Sequence, residues 1–341
     1  MYKPRTNVEY AYLGVTASQA IGTSILEIMV LQRYFSWIND VVWQGPTSYV
    51  VPVHFALFVF GNLYMAVLAF DALRTRNNLQ LFGICIFNMG VFTFAVMRIN
   101  QTHVISQTLP DNIAAGNKPF VKDVPFWSKV QPALIVNAII PGVCMIASWL
   151  LTFKLNREFA WAIYRHISGS LSIRRKYLTY QVLLVVMKLE AYFVIAFIVV
   201  YGLIDVHYEL PEFPLTIAII PLLFVQMGMT IHFIKHENKF GAFAAIVFRM
   251  AEIAYLISRI LILNGIPKSR RSATTLKDEM LFFAGCALTL AIVACVNAML
   301  CLLNFNQGLK PLLLNSGWKQ NKYEFSPIHA QARLTSRLEL D

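Results

Sequence analysis

Eight long apolar runs govern what this chain can become: Ala11–Leu31, Tyr49–Phe70, Leu79–Met97, Ala133–Phe153, Leu178–Tyr201, Pro214–Phe233, Gly241–Leu263 and Met280–Leu303. A run of about 20 residues, rising about 1.5 Å per residue as a helix, matches the hydrocarbon thickness of a bilayer. Lipid offers no water to backbone N–H and C=O groups, so each run must close its own hydrogen bonds as an α-helix. The expected fold is all-α, a polytopic transmembrane helical bundle of about eight spans. The exception among the eight is Gly241–Leu263, which contains Arg249, Glu252 and Arg259; if it does not cross, seven spans remain.

Composition supports the same solvent. The 341 residues are 57% apolar and only 14% charged, whereas a soluble domain carries about 25% charged residues. Collagen-like, disordered and disulfide-scaffold chains are excluded by 16 Gly, 14 Pro and 5 Cys. The formal net charge of +11 points to a membrane surface rather than to nucleic acid, because almost all of it falls on the side that holds residues 1–10. By the positive-inside tendency that side is cytosolic, and eight spans return the C-terminus to it. The expected organisation is a short cytosolic N-terminus (1–10), a bundle (11–303) with a basic cytosolic loop at 154–177 and a longer lumenal loop at 98–132, and a cytosolic tail (304–341). The first run follows Lys3 and Arg5, but it is too long for a signal-peptide core and carries Glu27, so it is expected to be retained. Its Gly14, Ser18 and Gly22 form a small-residue face suited to close helix approach.

Ionisable residues inside a span are costly and mark candidate sites. Glu27, Lys188, Glu190, Arg249, Glu252 and Arg259 are the candidates for an intramembrane polar site. Arg249 and Glu252 stand at i,i+3 with Arg259 two turns on, so the three share a face. Lys188 and Glu190 point to different faces and need partners on other helices, Glu27 being one candidate. A transporter would use such charges for its substrate or for proton coupling; an internal salt bridge is the plainer reading. Outside the spans, Leu155, Phe159, Ile163, Ile167 and Leu171 recur every four residues among Arg157, Arg165, Arg174, Arg175 and Lys176. That pattern fits either an interfacial helix touching anionic headgroups or a topology determinant packed beneath the bundle.

Several features carry less. Pro141 and Pro221 sit inside spans, each within an Ala-Ile-Ile-Pro sequence. His232 and His236, at i,i+4, lack a third ligand, so no metal is expected. His54 is alone in the second run and is expected to hydrogen-bond within the bundle. All five cysteines lie in apolar runs as small apolar residues. The sequon Asn100-Gln-Thr102 falls close to the end of the third run. No phosphate-binding glycine loop, Gly-x-Ser-x-Gly elbow or His-Glu-x-x-His occurs, so neither catalysis nor a cofactor is expected.

Local patterns add a resemblance. Phe70-Asp71-Ala72-Leu73-Arg74 follows the second run, and Trp161-x-x-Tyr164 precedes the basic stretch. Tyr180-Gln181 opens the fifth run, which contains Lys188 and Phe193, and Glu237-Asn238 precedes the run with Ala254-Tyr255. Asn304-Phe305-x-x-Gly308-Leu309-Lys310 closes the last. Together these resemble an uncharacterised fungal family of multi-pass Golgi apparatus membrane proteins. The resemblance implies residence in the Golgi or connected endomembranes and implies no activity. Three functions then compete: non-enzymatic membrane organisation or trafficking, transport of a small solute or ion by the intramembrane charges, and a receptor-like protein of seven helices. The lipid bilayer is the expected partner, with anionic lipids on the cytosolic face and no nucleic acid; protein partners are not encoded.

Overall fold

A computed structural model describes residue 4 and residues 6–114, 118–166, 171–206, 210, 212–265 and 276–305. Eight long helices account for most of these residues: α1 (Asn7–Trp37), α2 (Val50–Thr75), α3 (Asn78–Thr108), α4 (Trp127–His166), α5 (Leu171–Val200), α6 (Glu212–Lys235), α7 (Lys239–Leu263) and α8 (Lys277–Leu303). All except α7 are long and apolar enough to cross a membrane. At 25 residues, α7 reaches about 37 Å at 1.5 Å per residue; the three charges within its apolar run, not its length, set it apart.

Short connections make neighbouring helices antiparallel. Arg76, in the left-handed conformation, ends α2, and Asn77 accepts from the amides of Leu79 and Gln80 to start α3. Glu237, also at positive φ, and Asn238, which caps α7 through Gly241 N–H, turn α6 into α7. At the face where α1 begins, Thr6 Oγ1 donates to Glu158 near the end of α4. The start of α5, the end of α6, the start of α7 and the end of α8 meet there through Tyr180, Ile234, Ala242 and Cys301. The opposite face has a folded cap. Trp37 stacks on Phe126 at 4.4 Å, Ile38 bridges Val121, and the two-residue strands β1 (Ile113–Ala114) and β2 (Lys118–Pro119) pair antiparallel.

The bundle wears its apolar residues outside. On α1, Ile21, Ile25, Ile28 and Met29 are exposed, while Thr16, Gln19, Thr23 and Glu27 are buried. That is inverted relative to a water-soluble helix, as lipid solvation requires. The Gly14–Ser18–Gly22 face is not an approach surface: a Cβ on Gly14 would meet nothing within 4 Å, and one on Gly22 would meet only Ile140 Cδ1 at 3.7 Å. The close approach is made at α5 instead. A Cβ on Gly83 of α3 would lie 2.8 Å from Val185, and one on Gly61 of α2 would lie 2.7 Å from the Tyr192 hydroxyl.

Two expectations change in shape. Residues 154–166 do not form a loop or a separate interfacial helix: they continue α4, which runs for 40 residues, about twice the bilayer core at 1.5 Å per residue. Residues 171–176 begin α5. Leu155 and Phe159, the first two residues of the period-four pattern, are thus buried on the continuing helix, while the side chains of Ile163 and Leu171 and all of residues 167–170, Ile167 included, lie outside the described ones. The sequon Asn100–Thr102 also lies inside a helix, with Thr102 buried. The cysteines are free as expected among the described residues, and the tail from residue 306 lies outside them.

Replacing Gly83 with Ala should destabilise the protein by about 1–3 kcal/mol through overpacking against α5, whereas Gly14→Ala should leave stability unchanged. Thermal unfolding of the two variants in the same detergent checks this contrast.

Candidate functional site

The charges that the apolar runs carry are gathered into separate clusters between helices. One joins α5, α6 and α7. Glu190 lies midway along the apolar helix that spans Arg175–Val206, and Arg249 Nη1 donates to both of its carboxylate oxygens. The same Nη1 lies 3.3 Å from Glu252 Oε2, one turn further along α7. Gln226 Nε2 donates to that oxygen at 2.9 Å. The Glu190 and Arg249 side chains are 1% and 3% exposed and that of Glu252 is 9% exposed. Arg249 Nη2 and Glu252 Oε1 nevertheless have no hydrogen-bond partner.

Arg259 does not join this cluster, although it shares the helix face. Its Nη1 donates to the Tyr201 hydroxyl at 2.9 Å, and its guanidinium lies 5.0 Å from the Tyr255 ring centre and 5.3 Å from that of Tyr201. Tyr201 opens a π-helical turn (Tyr201–Val206) that continues α5. Aromatic faces stabilise a cation that has left bulk water.

Glu27 pairs with neither Lys188 nor Glu190. Its partner is Arg98 of α3 at 2.6 Å, with side chains 1% and 3% exposed, and Asn137 Nδ2 of α4 also donates to it. The Arg98 guanidinium sits 4.7 Å above the Phe58 ring. Nearby, His54 of α2 meets Glu279 of α8 at 2.7 Å, both fully buried. His54 thus hydrogen-bonds within the bundle, as expected from its place in the second run. Lys188 takes a third direction, to Asp71 at the end of α2 at 2.5 Å and to Gln80 of α3 at 3.3 Å, while Tyr64 donates to its backbone carbonyl. This last cluster is about one-third exposed. Asp71, which follows the second apolar run directly, is the counter-ion of Lys188.

Sequence reasoning missed Arg98, Glu279 and Asp71 as partners because each falls within a residue of a span boundary placed at the first charge. It also passed over Gln19, Asn62 and Asn88. These three amides, all fully buried, bond one another across α1, α2 and α3, with Gln19 donating to both asparagines at 2.9 Å. Uncharged amides inside apolar runs were the available signal.

Of the candidate headgroup contacts, Arg157 and Arg175 are exposed and Lys176 is half-buried; the side chains of Arg165 and Arg174 lie outside the described ones. The His232 and His236 rings lie 4.5 Å apart, tilted by 48°, and among the described residues no three His, Cys, Asp or Glu groups converge on a metal position.

An apolar exterior, internal charge pairs and eight antiparallel helices define the class, a multi-pass α-helical membrane protein. The chain is 24% identical over 276 residues to a UPF0658 Golgi apparatus membrane protein of the fission yeast Schizosaccharomyces pombe, covering 76% of this chain and 77% of that one. No family model matches the chain, and no solved structure matches it significantly. The likeness bears out the resemblance read from the local motifs and places the chain in the Golgi apparatus membrane.

Removing one partner of a buried pair strands the other charge and costs about 3–5 kcal/mol, whereas replacing both with apolar residues costs far less. Glu27→Ala or Arg98→Ala should therefore lower thermal stability steeply, and the double variant Glu27→Leu, Arg98→Leu should recover most of the loss. A double-mutant cycle followed by thermal unfolding reads the coupling.

Proposed function

We propose that the chain is a non-enzymatic transporter of a small solute or ion across the Golgi membrane, and that the Glu190–Arg249–Glu252 cluster with Gln226 is its coupling site. One observation carries this reading: at mid-depth, two carboxylates from two helices hold a single guanidinium, with a polar atom of each side left without a partner. A purely structural ion pair needs one acid and one base, and intramembrane charge beyond that need is characteristic of ion and substrate pathways. Glu252→Gln and Glu190→Gln, reconstituted in sealed proteoliposomes, are expected to lower electrogenic flux at least tenfold relative to the parent chain. Lys188→Gln, at the partly exposed cluster, should change it little. Flux equal in all four proteins would sink the transport reading.

The reading includes eight crossings with both termini cytosolic. Supporting α7 as a crossing, Arg249 and Glu252 turn towards α5 and α6, while Phe243, Val247, Phe248, Met250, Ile257 and Leu261 form an apolar outer face. The receptor-like alternative requires seven crossings and loses ground for the same reason. Protease added to sealed, right-side-out Golgi vesicles should remove a C-terminal epitope; protection of the epitope would leave α7 outside the set of crossings.

A second reading keeps membrane organisation or trafficking, supported by the extension of α4 past its apolar part. Exposed Lys154, Arg157 and Glu158 on that extension offer a polar helical surface to anionic lipids or to proteins.

A further inference from the structure

Charge accounting inside the bundle separates one cluster from the rest. Glu27 is balanced by Arg98. Glu279 has the ionisable ring of His54 as its own partner, one base to one acid, at 2.7 Å. The third cluster has two carboxyl groups, Glu190 and Glu252, and one guanidinium, Arg249.

The other groups facing it cannot supply the missing positive charge. From α6 comes Gln226, neutral, donating to Glu252 Oε2. From α8 comes Cys295, whose thiol donates to Met250 Sδ at 3.7 Å. On α5 itself, Lys188 is turned away to Asp71 and Gln80, towards α2 and α3. On α7, Arg259 lies seven residues beyond Glu252, about 10 Å along the axis, with its guanidinium on Tyr201 and Tyr255. A net negative charge here would be desolvated at the centre of the bilayer, where an uncompensated ion is least tolerated.

Between the two acids, the contacts choose where compensation falls. Both oxygens of Glu190 accept from Arg249. Glu252 engages only Oε2, at the longer distance of 3.3 Å from the same guanidinium, and its buried Oε1 has no donor. A carboxylate with one oxygen starved of donors is the poorer anion of the two.

We infer that this cluster holds one exchangeable proton, resident on Glu252, and that the ion coupled to transport is therefore H⁺. The second half rests on the transport reading above; the first does not. Releasing the proton leaves two carboxylates competing for Arg249, so deprotonation loosens α7 from α5 or α6, and reprotonation restores the seated arrangement.

The test separates the two halves. Infrared difference spectra of the full chain in lipid vesicles, recorded across a pH series, should contain a protonated-carboxyl carbonyl band that shifts in D₂O. Glu252→Gln should abolish the band by removing the acid. Glu190→Gln should abolish it as well, because Glu252 then becomes the sole counter-ion of Arg249 and ionises. Glu279→Gln should retain it. The second variant tests the proposal even where the first does not fold, since it removes the band while keeping Glu252. No such band in the parent chain, persistence of the band in Glu190→Gln, its loss only in Glu279→Gln, or its displacement by sodium at fixed pH would each overturn the proton site. With the band as expected, flux driven by a pH gradient decides its use: flux at least tenfold below the parent in both variants supports H⁺ coupling, and flux indifferent to the gradient overturns that half while leaving the site.

Discussion

Burying charge in a protein solvated by lipid is the constraint on which the remaining structure turns. In water, a helix can leave Glu, Arg or Lys on its outer face at almost no cost. In a bilayer that face is closed to them, and each must find an opposite charge or a dense set of dipoles inside the bundle. Here Glu27 finds Arg98 and Asn137, His54 finds Glu279, and Lys188 finds Asp71 and Gln80. Each connection joins helices distant in sequence, so the pairings fix which helices are neighbours and at what height they meet. Apolar packing against lipid-like surroundings supplies little of that specificity, because one leucine surface fits another about as well as it fits an acyl chain.

The central helix shows how the constraint and the packing cooperate. In α5, 72% of the apolar window is buried, against 22% in α6, and α5 carries both Lys188 and Glu190. Two residues apart, these face different neighbours: Lys188 is held by α2 and α3, Glu190 by α7. Such an element needs neighbours close on several sides. Gly61 and Gly83 permit it by accepting Tyr192 and Val185 where a Cβ would collide. The aromatic residues follow the same logic, with Tyr192 meeting Phe87 at 4.9 Å and Phe193 at 5.3 Å. Bulk on α5 and its absence on α2 and α3 are complementary halves of one interface.

Much of this architecture was legible in the sequence, because helix length and hydropathy follow from bilayer thickness. Every apolar run became the body of a helix, and even the separation of Lys188 from Glu190 followed from their spacing. The partners were less legible for a specific reason. A span boundary is drawn where the first charge appears, so Asp71, Arg98 and Glu279 each fall just outside an apolar run. In the folded chain, α3 continues ten residues past Arg98 and α8 begins two before Glu279. A charge at a boundary defined by that same charge carries no information about depth. The small-residue face of α1 failed differently: Gly14, Ser18 and Gly22 permit close approach but do not require it, and the buried polar face of the same helix, through Gln19 and Glu27, determined which side turned inward.

The distribution of balanced and unbalanced charge also bears on which parts of the bundle can move. Helices α1 to α4 are tied by the Glu27–Arg98–Asn137 cluster and the Gln19–Asn62–Asn88 amides. In both, the contacts span several helices, and loosening one leaves buried groups unpaired, at about 1–3 kcal/mol for each neutral group. The α5–α6–α7 cluster differs in having one carboxyl beyond what Arg249 needs, with α6 the least buried of the apolar helices. A protonation change in the balanced region would only break contacts. In the surplus region it exchanges one arrangement for another, because Glu190 and Glu252 can alternate as the principal partner of Arg249. If the inferred proton completes the charge of the α5–α6–α7 cluster, a bundle whose other pairs are balanced has the physical requirements for two conformations of similar energy, and the proton would set their ratio.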